Sequence, residues 1–171
     1  MAFSDKDKER MQIALKEAQA ALAKGNYPVG AVLIIGGEIV AKEQNTLHKG
    51  QDWVSHAELT LIKNNSNRIK EAIKKKGLKV ELVSTLEPCL MCLGAILLNR
   101  ISRVVFACPD PLGGATTLNV ESLPAWYGRK WPQIEGGLFK EESYRLLVTF
   151  MKNKENWCKI LPLFEEMHTK W

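Results

Sequence analysis

Apolar residues recur with a helical period at Met11, Leu15, Ala18 and Leu22, behind Ser4. The pattern predicts an amphipathic helix from Ser4 that stops at Gly25-Asn26, with Pro28 just beyond. Two β-type runs, residues 29–35 and 38–44, flank Gly36-Gly37, a pair suited to the positive φ of a tight hairpin turn. Residues 45–55 read as a loop and 56–63 as a helix with apolar Leu59 and Ile62. Residues 64–77 are polar and basic, and suggest a helical turn followed by a loop. A strand is predicted over 79–86 and a helix over 89–99, with Pro88 at its first position. A short strand at 103–107 then precedes a loop-rich stretch over 110–131. A last strand near 133–134 leads into helices at 140–152 and about 156–169. Hairpin first, then alternating helix and strand: the order implies an α/β sandwich around one mixed sheet, with an extra C-terminal helix.

At 171 residues the chain is expected to form a single domain, 1–171, with about 155–171 as a helical extension. The composition, 46% hydrophobic and 25% charged, is that of a globular protein and excludes a disordered chain. No apolar run approaches the length needed to span a bilayer, and the charged opening segment lacks the apolar stretch of a signal peptide. A cytoplasmic protein without membrane attachment is the expectation. Lys and Arg number 24 against 19 acids, a net charge of +5. The excess is compatible with a polyanionic partner without demanding one. Four cysteines, Cys89, Cys92, Cys108 and Cys158, are too few and too scattered for a disulfide framework.

The chemistry concentrates in two short motifs. His56-Ala57-Glu58 opens one predicted helix and Pro88-Cys89-Leu90-Met91-Cys92 opens another. Cys89 and Cys92, three apart at a helix start, can aim both sulfurs at one point, where free N–H groups and the dipole favour thiolate. With His56 as a third ligand the set suits a tetrahedral Zn²⁺, one per subunit, with one position left for water. Water activated in such a site titrates near neutral pH. Glu58, two residues from a ligand, is placed to take the water proton and pass it to a leaving nitrogen. Competing readings are a redox pair and a structural zinc completed by Cys108, Cys158 or His48. Redox is weakened by the absence of a thioredoxin-like strand layout. A catalytically silent zinc module would have no need of Glu58.

His-Ala-Glu followed by Pro-Cys-x-x-Cys resembles the cytidine deaminase superfamily. The run Thr85-Leu86-Glu87-Pro88-Cys89-Leu90-Met91-Cys92-Leu93-Gly94-Ala95-Ile96 is similar to its tRNA adenosine deaminase and guanine deaminase branch. Pro28-Val29-Gly30-Ala31-Val32, Asn45, Arg103-Val104-Val105-Phe106, Asp110 and Glu135-Gly136-Gly137-Leu138 extend the likeness. The resemblance implies a five-stranded mixed sheet with helices on both faces, a homodimer, zinc on His56, Cys89 and Cys92, and Glu58 as the proton shuttle. It further implies substrate contacts from Asn45, Val29 and Asp110. The chain departs from the family's usual Asp-Pro-Thr-Ala before His-Ala-Glu: here stands Asp52-Trp53-Val54-Ser55, and Trp53 becomes a candidate pocket residue.

The implied reaction replaces an exocyclic amino group by oxygen with loss of ammonia. The substrate is read as a nucleobase, nucleoside or related heterocycle, because the departures fall in recognition loops. Trp53, Trp126, Tyr127 or Trp131 would then stack on the ring. The alternative is an adenosine in a tRNA anticodon loop, with Arg68, Lys70, Lys74, Lys75, Lys76 and Lys79 meeting phosphates. By default these lysines are a solvated face, and the apolar residues of 155–171 pack on the core or on a neighbouring subunit. Cys108 and Cys158 read as buried small hydrophobes or bystanders, and His48 and His168 as solvated.

Overall fold

A computed structural model describes residues 3–47 and 52–169. Helix α1 (Asp5–Ala23) starts where the sequence places it: Ser4 Oγ accepts from the Asp7 amide while the Asp7 side chain reaches back to the Ser4 backbone, a reciprocal capping box. Strands β1 (Gly30–Ile35) and β2 (Glu38–Gln44) form the hairpin around Gly36-Gly37. They are followed by α2 (Ala57–Lys76), β3 (Val80–Leu86), α3 (Leu90–Leu98) and β4 (Arg103–Cys108). A 3₁₀ turn (Val120–Ser122), the short α4 (Ala125–Gly128) and β5 (Gln133–Gly136) come next, then α5 (Lys140–Lys152), α6 (Glu155–Cys158) and α7 (Leu161–His168). Among the described residues no helix is long and apolar enough to cross a membrane.

The five strands form one mixed sheet in the order β2-β1-β3-β4-β5. β1 pairs antiparallel with β2 and β3, whereas β3, β4 and β5 run parallel. All six residues of β1 are buried because helices cover both of its faces. Val32 and Ile34 point toward α1, against Met11, Ala14 and Leu15. Ala31 and Leu33 point the other way, into a core shared with Leu61 and Ile62 of α2 and Ile96 of α3. That alternation produces the layered sandwich and brings α2 and α3 together on one face.

Three expectations need correction. Residues 64–77 are not a turn and loop: α2 continues for 20 residues to Lys76. Ile69 and Ala72 bury a sparse inner stripe about two and three turns beyond Leu61 and Ile62, while asparagines and lysines face outward. Lys74, Lys75 and Lys76 occupy the last turn, where cations complement the helix dipole, and left-handed Gly77 ends it. Pro88 stands outside α3 rather than at its first position, because Cys89 is the N-cap. The single helix expected over 156–169 is two pieces, since Pro162 has no N–H to carry the hydrogen-bond ladder across the break.

Candidate active site

Helices α2 and α3 begin beside each other at the carboxyl end of β3, a position where parallel α/β sheets place their sites. The N-cap of α2 is His56 and that of α3 is Cys89, both with extended backbone and neither using its side chain to cap an amide. Ser, Thr, Asp or Asn in such positions would stabilise the helix by about 1 kcal/mol. Here the cap positions serve to aim an imidazole and a thiol into one space. His56 Nδ1 lies 3.6 Å from Cys89 Sγ and 3.7 Å from Cys92 Sγ. The three ligand atoms are all within 4.8 Å of one another.

This donor set fits Zn²⁺. Bonds of about 2.3 Å to sulfur and about 2.05 Å to nitrogen, at a tetrahedral angle, separate N and S by about 3.6 Å. The observed spacings match that edge without rearrangement. Electrostatics agree: hydrogen bonding from Cys92 and from His56 pulls the Cys89 thiol down to about 4. The neighbouring Cys89 and burial push Cys92 up, so the sulfur pair holds one proton that a cation would displace. Of the proposed fourth ligands, Cys108 rests against Pro109 and His168, Cys158 is exposed, and His48 lies outside the described residues. Among the described residues the group comprises three ligands, the complement of a catalytic rather than a structural zinc.

Glu58 projects from the first turn of α2 and is 3% exposed. Burial raises its pKa, opposed by a hydrogen bond from Ser84. Ser84 Oγ donates to Oε1 at 2.8 Å, and Cys92 Sγ stands 3.8 Å from Oε2. The carboxylate is thus held by one oxygen from the sheet, with the other beside the ligand group.

A cavity of about 320 Å³ opens over these residues. Val29, Asn45 and Asp110 line it with His56, Glu58 and Cys89. Asn45 donates its amide to the Val29 carbonyl at 2.8 Å, which fixes the two as neighbours on the wall. Asp110 Oδ1 accepts from the amides of Leu112 and Gly113, folding that loop toward the cavity. Trp53 is elsewhere: it is 87% exposed and is not part of this wall. Tyr127 and Trp131 pack against Leu93, Leu97 and Ala115, and Trp126 lies beside Lys130.

Sequence reasoning missed several walls. Tyr27 stacks on Trp157 at 4.9 Å, and both line the cavity with Ile160. The C-terminal segment therefore both packs on the core, through Leu161 and Phe164, and closes the site. Glu87 is also missed; its motif position was the available clue. It is buried, accepts from the Asp110 and Thr116 amides at 3.0 Å each, and holds the 110–116 loop in place. His168, expected in solvent, is buried and stacks on Tyr144 at 4.0 Å. Of the two cysteines read as buried hydrophobes or bystanders, Cys108 is buried and Cys158 is at the surface.

A family model, the cytidine and deoxycytidylate deaminase zinc-binding region, matches residues 4–108. A tRNA-specific adenosine deaminase of Bacillus subtilis is 37% identical over 150 residues, covering 85% of this chain and 89% of the relative. One of Aquifex aeolicus is 35% identical over 149 residues, covering 85% and 94%. A solved structure from a study of A-to-I editing by tRNA:A34 deaminases at the wobble position of transfer RNA superposes with a TM-score of 0.66. It is 34% identical and covers 81% of this chain and 99% of that one. Guanine deaminase of Nitrosomonas europaea, 22% identical with a TM-score of 0.67 over 84% and 83%, shares the fold.

Proposed function

Because the chain belongs to the cytidine and deoxycytidylate deaminase zinc-binding family, and so is a zinc-dependent hydrolase of C–N bonds, we propose that it deaminates adenosine in tRNA to inosine. The observation that carries this reading is similarity along nearly the full length of relatives named for that activity, rather than within the zinc motifs alone. It supports tRNA over the free nucleobase that the divergent recognition loops favoured. The whole chain serves as one catalytic domain, with residues 155–171 as a helical extension.

In this reading His56, Cys89 and Cys92 hold zinc, whose Lewis acidity makes water a competent nucleophile near neutral pH. Glu58 accepts the proton from the attacking water as its oxygen bonds to the amino-bearing ring carbon. The same carboxyl returns the proton to the exocyclic nitrogen, the C–N bond breaks, and ammonia leaves. Water and the amino-purine are consumed; the oxo-purine and ammonia are produced. A buried carboxyl held at one oxygen by Ser84 suits a group that must alternate between base and acid. Asn45 and Val29 orient the base along one wall, and Asp110 shapes the mouth. The base must leave its stack to reach this depth, which a single-stranded loop permits at small cost.

One observation favours a second reading: Trp157, Ile160 and Leu112 enclose the cavity with apolar surface, as a free base would require. Exposed Leu90 and Leu98, beside a groove lined by Leu93, Leu97 and Tyr127, support association of two copies. The deciding experiment incubates the zinc-loaded chain with an anticodon-loop tRNA transcript and, separately, with adenosine, adenine, guanine and cytidine. Inosine in digested tRNA, with little ammonia from the small substrates, is the expected result. Ammonia from a free base and unmodified tRNA would establish the second reading instead.

A further inference from the structure

The two helices that start at the zinc ligands differ in length, and where the shorter α3 ends beside Ser66 of α2 a second concavity of about 260 Å³ lies. Lys70 and Lys74 of α2, Arg100 beyond α3, and Lys130 beyond α4 line it, with Asn99 and Trp126 between them. Among the described residues no carboxylate is part of the wall. Among the described residues none of these four cations takes part in an ion pair. Four unpaired positive charges around one hollow repel one another and focus a field that attracts an anion.

Two details mark the hollow as more than a solvated lysine face. Arg100 occupies the left-handed region, with φ of 54°, at the end of α3. Its amide donates to Leu97 O and the next amide, of Ile101, donates to Ile96 O, which makes Arg100 the residue that closes the helix. Glycine normally fills this position, and a side chain there costs roughly 1–2 kcal/mol. The chain accepts that strain and gains a guanidinium at the rim. The Lys130 ammonium, in turn, lies over the Trp126 ring, is enclosed, and has no hydrogen-bond partner among the described residues. Desolvation and the nearby Arg100 hold its pKa below the usual lysine value. An acceptor entering the hollow would satisfy it.

We propose that this hollow is a phosphate-binding site for the RNA backbone, engaging a phosphate some nucleotides away from the base in the zinc cavity. The proposal rests on the tRNA reading above and adds where the strand is held. From Cys89 to Arg100 the path along α3 is about 16 Å. At roughly 3.4 Å per phosphate along a stacked strand, that spans about five nucleotides. One RNA hairpin can therefore occupy both places. Trp126, 53% exposed, offers a ring edge and face to an unpaired base beside the phosphate.

The test uses the zinc-loaded full chain and an anticodon stem-loop RNA, with affinity followed by fluorescence anisotropy from 50 to 300 mM KCl. Arg100→Gly removes a charge while suiting the left-handed backbone, so this variant keeps its fold. Lys70→Gln with Lys74→Gln preserves helix propensity. Each is expected to weaken binding several-fold at moderate salt and to flatten the slope of log K against log salt by about 0.7 for every phosphate that is no longer neutralised. KM for RNA should rise with kcat unchanged, because the site is remote from the chemistry. A control, Lys6→Gln with Lys16→Gln on α1, removes the same charge elsewhere and should leave the slope unaltered. An unchanged slope in the pocket variants, or an equal loss in the control, overturns the pocket while leaving the tRNA reading intact. A wild-type chain that neither binds nor deaminates RNA overturns both, and that result is visible in the wild-type arm alone.

Discussion

The Ser84 hydroxyl, on the central strand β3, donates to Glu58 Oε1 at 2.8 Å inside a site where Glu58 is almost wholly buried. A strand residue thus sets the rotation of a helix residue, and with it the direction of the second oxygen, 3.8 Å from Cys92 Sγ. Removing the donor leaves a buried carboxylate short of one charge-assisted bond, worth about 1.5–3 kcal/mol. Ser84→Ala is expected to lower kcat by roughly 10-fold to 100-fold with little change in KM. Glu58→Gln, which keeps the shape and removes the titrating oxygen, should cost about 10²–10⁴ while zinc content stays at one per chain. Steady-state kinetics alongside elemental analysis checks both; a Glu58→Gln enzyme of normal turnover would refute the proton shuttle.

Zinc removal is expected to abolish turnover and also lower the melting temperature. Two sulfurs and an imidazole within 4.8 Å of one another are apposed most favourably around a cation, and without it the start of α3 loses its tie to α2. Dialysis against a chelator, followed by calorimetry, should show the decrease, and stoichiometric Zn²⁺ should restore both properties. Cys92→Ser should bind zinc more weakly than wild type, since an alcohol replaces a buried thiolate ligand. Retained activity in chelated protein of verified zero zinc content would refute the assignment.

Gly114 is the second support of the site. A Cβ there would collide with the Glu87 carboxylate and the Asp110 carbonyl, and Gly114 bridges Cys89 across an isolated β-pair. Gly114→Ala must push Glu87 away from the Asp110 and Thr116 amides or displace the loop that carries Asp110. The expected outcome is a KM raised about 10-fold or more and a melting temperature lowered by several degrees, consistent with overpacking of about 1–3 kcal/mol. Thermal melts and substrate titration measure the two effects, and unchanged KM would show that the loop does not border bound substrate.

The zinc group was legible because each ligand lies in a short motif at an element start, where spacing along the chain determines position in space. Asn45, Val29 and Asp110 were legible only through family resemblance, since the cavity wall they share is assembled by the sheet. Nothing local in residues 155–161 points to a cavity: Trp157 reaches it only because Leu161 and Phe164 anchor the returning segment against the core. The length of α2 escaped for a different reason. Its inner stripe, Ile69 and Ala72, is too sparse to stand out among lysines and asparagines, and burial shows it only once the sheet is present. Trp53 misled because a large aromatic beside His56 suggests a pocket, whereas the Asp52 turn, accepting from the Val54 and Ser55 amides, leaves the indole in solvent.

Acid stability provides a prediction independent of the catalytic site. Arg103 of β4 grips Asp7 of α1 through two nitrogens, at 2.7 and 3.2 Å, and also meets Glu81 at 3.0 Å and Glu135 at 2.9 Å. The Arg103 hydrogen bonds hold the buried Asp7 carboxyl at about 2, below its ordinary 3.8. A depressed folded-state pKa means that the unfolded chain takes up the proton first on acidification. The contribution is therefore complete above about pH 4 and is lost as pH falls through 2. It amounts to roughly 2 kcal/mol. Zinc release also destabilises the protein in acid, so the informative quantity is the difference between wild type and Asp7→Asn in urea unfolding. At pH 7 the variant should be less stable by about 2 kcal/mol, and the gap should narrow steadily between pH 4 and pH 2. A gap that is constant across that interval would mean that Asp7 titrates normally in the folded protein and that the Arg103 clamp contributes nothing to its ionisation.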